Sequence, residues 1–89
     1  RGAGLGLSLV PLDGADGGGA RVVAVQPGSP AADDGLAEGD VIRQVGARAV
    51  RGPVDVAAAI ESARKEGRSR VVLLVERDGN RGFVALPLS

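Results

Sequence analysis

The chain has 89 residues with eleven acidic and eleven basic side chains, so its formal net charge is zero. It contains no cysteine or histidine, and its single aromatic residue is Phe83. These counts exclude a disulfide framework, a thiolate or histidine metal site and a histidine-dependent catalytic triad. They also argue against nucleic-acid binding, and no apolar run is long enough to span a membrane. The composition favours a small domain that binds a partner rather than transforming it.

The first part of the chain predicts two strands. Leucine alternates with small residues over 5–10, a pattern typical of a strand with one buried face, and Pro11 ends it. A glycine-rich run at 13–19 has no apolar period and predicts a loop. The short β-branched segment 21–25 predicts the second strand.

A short helix and a third strand follow. Ser29 before Pro30 is a helix start signal, because serine caps free amides and proline fits the first helical turn. Gly35 predicts the end of this helix. Segment 41–45 predicts a strand, and 49–50 predicts a brief strand that pairs nearby.

The last part predicts a longer helix and a hairpin. Pro53 begins the helix and Gly67 ends it. Its apolar stripe consists of Val56, Ala59, Ile60 and Ala63. Segments 70–77 and 81–88 flank a turn at 78–80, which favours a β-hairpin. Runs of strands with two helices predict an α+β domain, a curled sheet or partial barrel capped by one short and one longer helix.

Two motifs occur together, RGAGLGL at 1–7 and PGSPAA at 27–32, the second followed by GL at 35–36 and GDVI at 39–42. This combination resembles a PDZ domain of the bacterial HtrA/Do-like (Deg) trypsin-like serine proteases. The resemblance covers nearly the whole chain, and the strand order is similar to the circularly permuted bacterial arrangement. It implies a single PDZ domain over 1–89, excised from a longer protein.

The resemblance also implies a mechanism, in which the last residues of a partner add as a strand beside the first strand. Consecutive backbone amides in a tight loop suit a terminal carboxylate. The implied carboxylate-binding loop consists of Gly4, Leu5, Gly6 and Leu7. The implied peptide groove is lined by Leu5, Leu7, Leu9, Val56, Ala57, Ile60 and Arg64, with Arg1 for charge assistance. These side chains predict an aliphatic pocket.

Structural explanations compete with these roles. Gly4 and Gly6 also fit a simple tight turn, although the downstream motif favours the carboxylate loop. Val56 and Ile60 fit the domain core as well as the groove, because an apolar helical stripe usually faces a core.

The expected function is peptide binding within a serine protease of the cell envelope or periplasm. The expected partners are C-terminal peptides or unfolded segments, and the protease domain and other subunits of the parent. No catalytic residue, metal, cofactor, nucleic acid or direct membrane insertion is expected. Two alternatives stay open: a structural or oligomerisation PDZ domain with an unused groove, and a PDZ domain from another envelope protease or a secretion component.

Overall fold

The computed structural model describes residues 6–12 and 18–88. Within them the chain forms six strands and two helices in the predicted order. The strands are β1 (Leu7–Pro11), β2 (Ala20–Val25), β3 (Val41–Val45), β4 (Arg48–Ala49), β5 (Arg70–Arg77) and β6 (Asn80–Pro87). The helices are α1 (Pro30–Asp33) and α2 (Pro53–Lys65).

Local sequence signals explain how both helices begin. Ser29 Oγ accepts a hydrogen bond from the Ala32 N–H at 3.2 Å, as expected for an N-cap, and Pro30 starts α1. Pro53 starts α2, where Gly52 provides no capping side chain. No helix within the described ranges is long and apolar enough to cross a membrane.

The hairpin between β5 and β6 is tighter than predicted. Its turn contains two residues, Asp78 and Gly79, both with positive φ, and Asn80 already belongs to β6. Two consecutive positive φ angles match the right-handed twist of paired strands, which explains the compact turn. Strand β4 likewise starts one residue earlier than predicted, at Arg48.

All strand pairs in the described sheet are antiparallel, in the order β1-β2-β3-β5-β6 with β4 beside β3. Register irregularities between Ser8 and Leu9 and between Ile42 and Gln44 interrupt two of the ladders. Such irregularities bend a strand and increase its twist. Strands β1 and β6 lie at the two ends of this strand order, and the two-residue strand β4 pairs with β3 alone.

Helix α2 contacts β1, β3 and β5 and closes the core over one face of the sheet. Its predicted stripe is buried, with Val56, Ala59, Ile60 and Ala63 on the core side. Leu73 and Leu86 on the β5–β6 hairpin belong to the same core cluster and are fully buried. The core is aliphatic, and the single aromatic residue, Phe83, is 73% exposed on β6.

Candidate functional site

The candidate site is the edge formed by β1. Among the described strands, β1 pairs with β2 alone, so its other side is open. Peptide groups alternate in direction along a strand, and those turned away from the neighbouring strand are available to another chain. Helix α2 contacts β1. The open edge therefore belongs to a strand that α2 contacts, and an exposed sheet edge is what an added strand requires.

The backbone turns sharply at Gly6, immediately before β1. Gly6 has φ +82°, and its carbonyl accepts a hydrogen bond from the Gln26 N–H at 2.8 Å. A Cβ at this position would overlap Ser29 Cβ and lie 2.6 Å from Ser29 Oγ. Positive φ and close packing both require glycine here. The turn is thereby held against the start of α1, a contact that the sequence analysis missed.

Of the other residues predicted for the loop and the strand side of the groove, some lie outside the described residues and some belong to β1. Gly4, Leu5 and Arg1 lie outside the described residues. Leu7 is the first residue of β1, and its side chain is 3% exposed and joins the hydrophobic core. Leu9 is partly buried against that core.

The helix residues of the predicted groove occupy two environments. Val56 and Ile60 are each 1% exposed and belong to the hydrophobic core. Ala57 and Arg64 are half-buried on a neighbouring face of α2. Val56 and Ile60 are core residues, so they expose almost no surface to a ligand. Ala57 and Arg64 are more accessible.

Arg64 connects α2 to the end of the chain. Its Nε donates a hydrogen bond to the Leu88 carbonyl at 3.4 Å, and Nη1 lies 3.9 Å from Glu61 Oε1. Leu88 follows β6, and its N–H donates to the Ser69 carbonyl at 2.9 Å. The guanidinium therefore lies where α2 and the end of β6 meet.

An ion pair between the buried Asp40 carboxylate and the exposed Arg77 guanidinium supports the loop that precedes β3. Asp40 is 1% exposed, and its carboxylate accepts from Arg77 Nε and Nη2, both at 2.7 Å, and from the Ala37 N–H at 3.0 Å. The hydrogen bonds from Arg77 lower the pKa of Asp40 despite its burial. The same Arg77 Nη2 donates to the Gly35 carbonyl at 2.8 Å. Asp40 bonds to a nearby backbone amide, as aspartate in a turn is expected to do.

No group of three or more metal-ligating side chains occurs in the described part of the chain. The geometry at the β1 edge suits recognition of an extended peptide.

The fold and the edge site define the class of protein. The PDZ domain family model matches residues 3–88, and the chain belongs to the PDZ domain family. It is similar to the probable periplasmic serine endoprotease DegP-like of Rhizobium meliloti (strain 1021), with 39% identity over 98% of this chain and 17% of that protein. The protein of the same name from Brucella suis biovar 1 (strain 1330) is 42% identical over 94% of this chain and 16% of its own length. The chain thus spans about a sixth of these curated relatives.

A solved structure has the same fold. The HtrA3 PDZ domain bound to a phage-derived ligand (FGRWV) superposes with a TM-score of 0.72 at 21% sequence identity. The match covers 93% of this chain and 81% of that one. The predicted fold class and the resemblance to HtrA-type PDZ domains are both confirmed.

Proposed function

We propose that this domain binds the apolar C-terminal tails of other proteins by accepting them as an added strand along β1. The observation that carries the proposal is the open edge of β1, which starts at the Gly6 turn and lies beside α2. Main-chain hydrogen bonds along this edge would supply affinity, and side-chain pockets would supply specificity.

The terminal carboxylate would bind to amides of the loop Gly4, Leu5, Gly6 and Leu7. Of these four residues, Gly6 and Leu7 lie in the described part of the chain. The family resemblance supports the roles of Gly4 and Leu5, and Arg1 would add positive charge. A tight turn presents successive N–H groups toward an anion. Because the carboxylate would sit where β1 begins, the peptide would run antiparallel to β1.

The side chains around the groove favour an apolar ligand terminus. Leu7 and Leu9 on β1 and Val56, Ala57 and Ile60 on α2 are all aliphatic. We expect Val, Leu, Ile, Ala or Phe as the last ligand residue. The ligand of the HtrA3 PDZ domain, FGRWV, ends in valine, which supports this preference.

The parent protein would be a serine endopeptidase of the bacterial envelope. The curated relatives are named periplasmic serine endoproteases, and the match to them covers nearly all of this chain. Catalysis would then lie in another part of the parent, because this chain has no histidine to activate a serine. The domain would deliver substrate tails or unfolded segments, and would contact the protease domain and neighbouring subunits.

A second candidate is an assembly domain whose groove stays empty. The run of small side chains Ala57–Ala59 on α2 favours this alternative, because alanine offers a ligand little contact area. The same fold would also serve another envelope protease or a secretion component.

The proposal is tested by titrating the domain with an apolar-ended peptide in two forms, one with a free C-terminal carboxylate and one amidated. We expect a dissociation constant on the order of micromolar for the free acid, and at least about tenfold weaker binding of the amide. A scrambled peptide that ends in aspartate controls for the last side chain. Equal binding of both forms, or of neither, would contradict carboxylate recognition.

A further inference from the structure

A cavity of about 440 Å³ lies on the flank of α2 that faces away from β1. Helical spacing separates the two flanks, since Ser62 and Glu66 fall on the opposite side of the buried stripe from Ala57 and Arg64. The β3–β4 turn at 46–47 and the start of β5 form the other walls. We call this space the rear cavity, and its lining comes from 45–48, from Ala59, Ser62, Ala63 and Glu66, and from residues within 68–72. The proposed peptide groove does not include it.

The floor of the rear cavity is apolar. Val45, Ala59, Ala63 and Val71 line it, and each is at most 6% exposed. Ala59 and Ala63 are small, so the helix surface offers room for a ligand side chain. The volume falls within the range of protein ligand sites.

The rim of the rear cavity is basic. Arg48, Arg68 and Arg70 line it together with one acidic residue, Glu66. Arg68 Nε lies 3.0 Å from Glu66 Oε1, so that carboxylate is already paired. Three cations against one anion leave a formal charge of +2 on the lining, whereas the whole chain is neutral. This concentration of charge at one cavity favours an anionic ligand.

A second, smaller cavity of about 290 Å³ shares Arg48 with the rear cavity. It continues toward the start of α2, where Ala58 and Asp55 line it. The Asp55 carboxylate accepts a hydrogen bond from the Arg51 N–H at 3.0 Å. Arg48 therefore stands between the two cavities, and a ligand bound to its guanidinium in the rear cavity would lie next to the smaller one.

We propose that the rear cavity binds an extended acidic peptide segment. Its carboxylates pair with Arg48 and Arg70 on the rim, and its small aliphatic side chains cover the alanine-rich floor. The segment is an internal one, because recognition depends on side-chain carboxylates rather than on a chain terminus. The domain then holds two peptides at once, a C-terminal tail along β1 and an acidic segment behind α2. The second site functions whether or not the first one does.

The probe is an acetylated and amidated peptide in which aspartate alternates with valine, and its control carries asparagine in place of aspartate. Backbone amide chemical shifts of the ¹⁵N-labelled domain are followed at low salt. We expect the acidic peptide to shift amides of 46–48, 62–66 and 68–72, and to bind about tenfold more tightly than the asparagine control. Raising the salt concentration should remove this difference, because exposed charges are screened.

Charge reversal locates the site. Arg48→Glu and Arg70→Glu should each weaken binding by about two- to fivefold, and the double variant by about tenfold or more. Arg21→Glu is the matched control, since Arg21 is exposed on β2 and is not among the residues lining the cavity. Thermal melts of all variants verify folding. Equal affinity for the two peptides, absence of binding, or shifts confined to β1 would overturn the proposal. If the rear cavity fails this test but an apolar peptide with a free carboxylate still binds, the proposed β1 groove is not contradicted.

Discussion

At the residue scale, Gly6 has two separate tasks. It turns the chain into β1 with positive φ, and it leaves space for Ser29, the N-cap of α1. A side chain at position 6 would displace that cap as well as strain the backbone. The entrance of the proposed groove is therefore tied to the stability of the fold, and α1 is a structural support of the site.

Asp40 anchors the loop before β3 to the far end of β5. The bonds from Arg77 and from the Ala37 N–H favour its charged form, while burial opposes that form. Charge-assisted bonds of this kind are among the stronger ones in proteins. Removing the Asp40 charge is expected to cost about 1–3 kcal/mol of the free energy of unfolding at neutral pH.

The pH dependence of stability tests this pair. Because the pKa of Asp40 is lower in the folded than in the unfolded chain, its contribution is fully present above the unfolded value near 3.8. That contribution is lost as the pH falls from there through the folded pKa. We expect the free energy of unfolding of Asp40→Asn to fall less steeply as the pH is lowered than that of Glu38→Gln. Glu38 is exposed, so this second variant is the control. Urea unfolding at a series of pH values measures both, and parallel curves would contradict the role of Asp40.

At the element scale, the open edge of β1 and the flank of α2 together define the proposed groove. Strand β6 is also an edge, with Phe83 exposed on it, so an open edge alone does not select the site. What distinguishes β1 is the Gly6 turn at its start and its contact with the 13-residue helix α2, whereas β6 contacts the four-residue helix α1. Ala57 on that helix provides the most direct way to narrow the groove without disturbing the core.

Two substitutions on α2 test which flank a C-terminal peptide uses. Ala57→Phe adds bulk on the flank facing the proposed groove, and Ala58→Phe adds the same side chain at an exposed position nearby. We expect Ala57→Phe to weaken binding of the free-acid peptide by about tenfold or more, and Ala58→Phe by less than about twofold. Calorimetric titration measures both affinities, and thermal melts verify folding. Equal effects of the two substitutions would place the peptide elsewhere.

At the scale of the whole molecule, local signals in the sequence predict most of the helices and strands. They predict few of the contacts between residues far apart in the chain. The Ser29 cap and the buried stripe with Val56 and Ile60 follow from short spacings, and the structure confirms them. The pairing of Asp40 with Arg77 joins residues 37 positions apart, and no local pattern indicates it. The close fit of Gly6 against Ser29 likewise depends on how the sheet and α1 meet. The predicted roles of Gly4 and Leu5 come from family resemblance. Both residues lie outside the described part of the chain.

The most direct test of strand addition is to measure nuclear Overhauser effects between a free-acid apolar peptide and the labelled domain. Antiparallel cross-strand contacts should join the peptide to the backbone of β1, with the last peptide residue next to Gly6 and Leu7. Strand β6 is the internal comparison, because it lies at the opposite end of the strand order and also pairs with one described strand only. Contacts along β1 in this register are the predicted result. Contacts along β6, or a parallel register on β1, would contradict the proposed mode of binding.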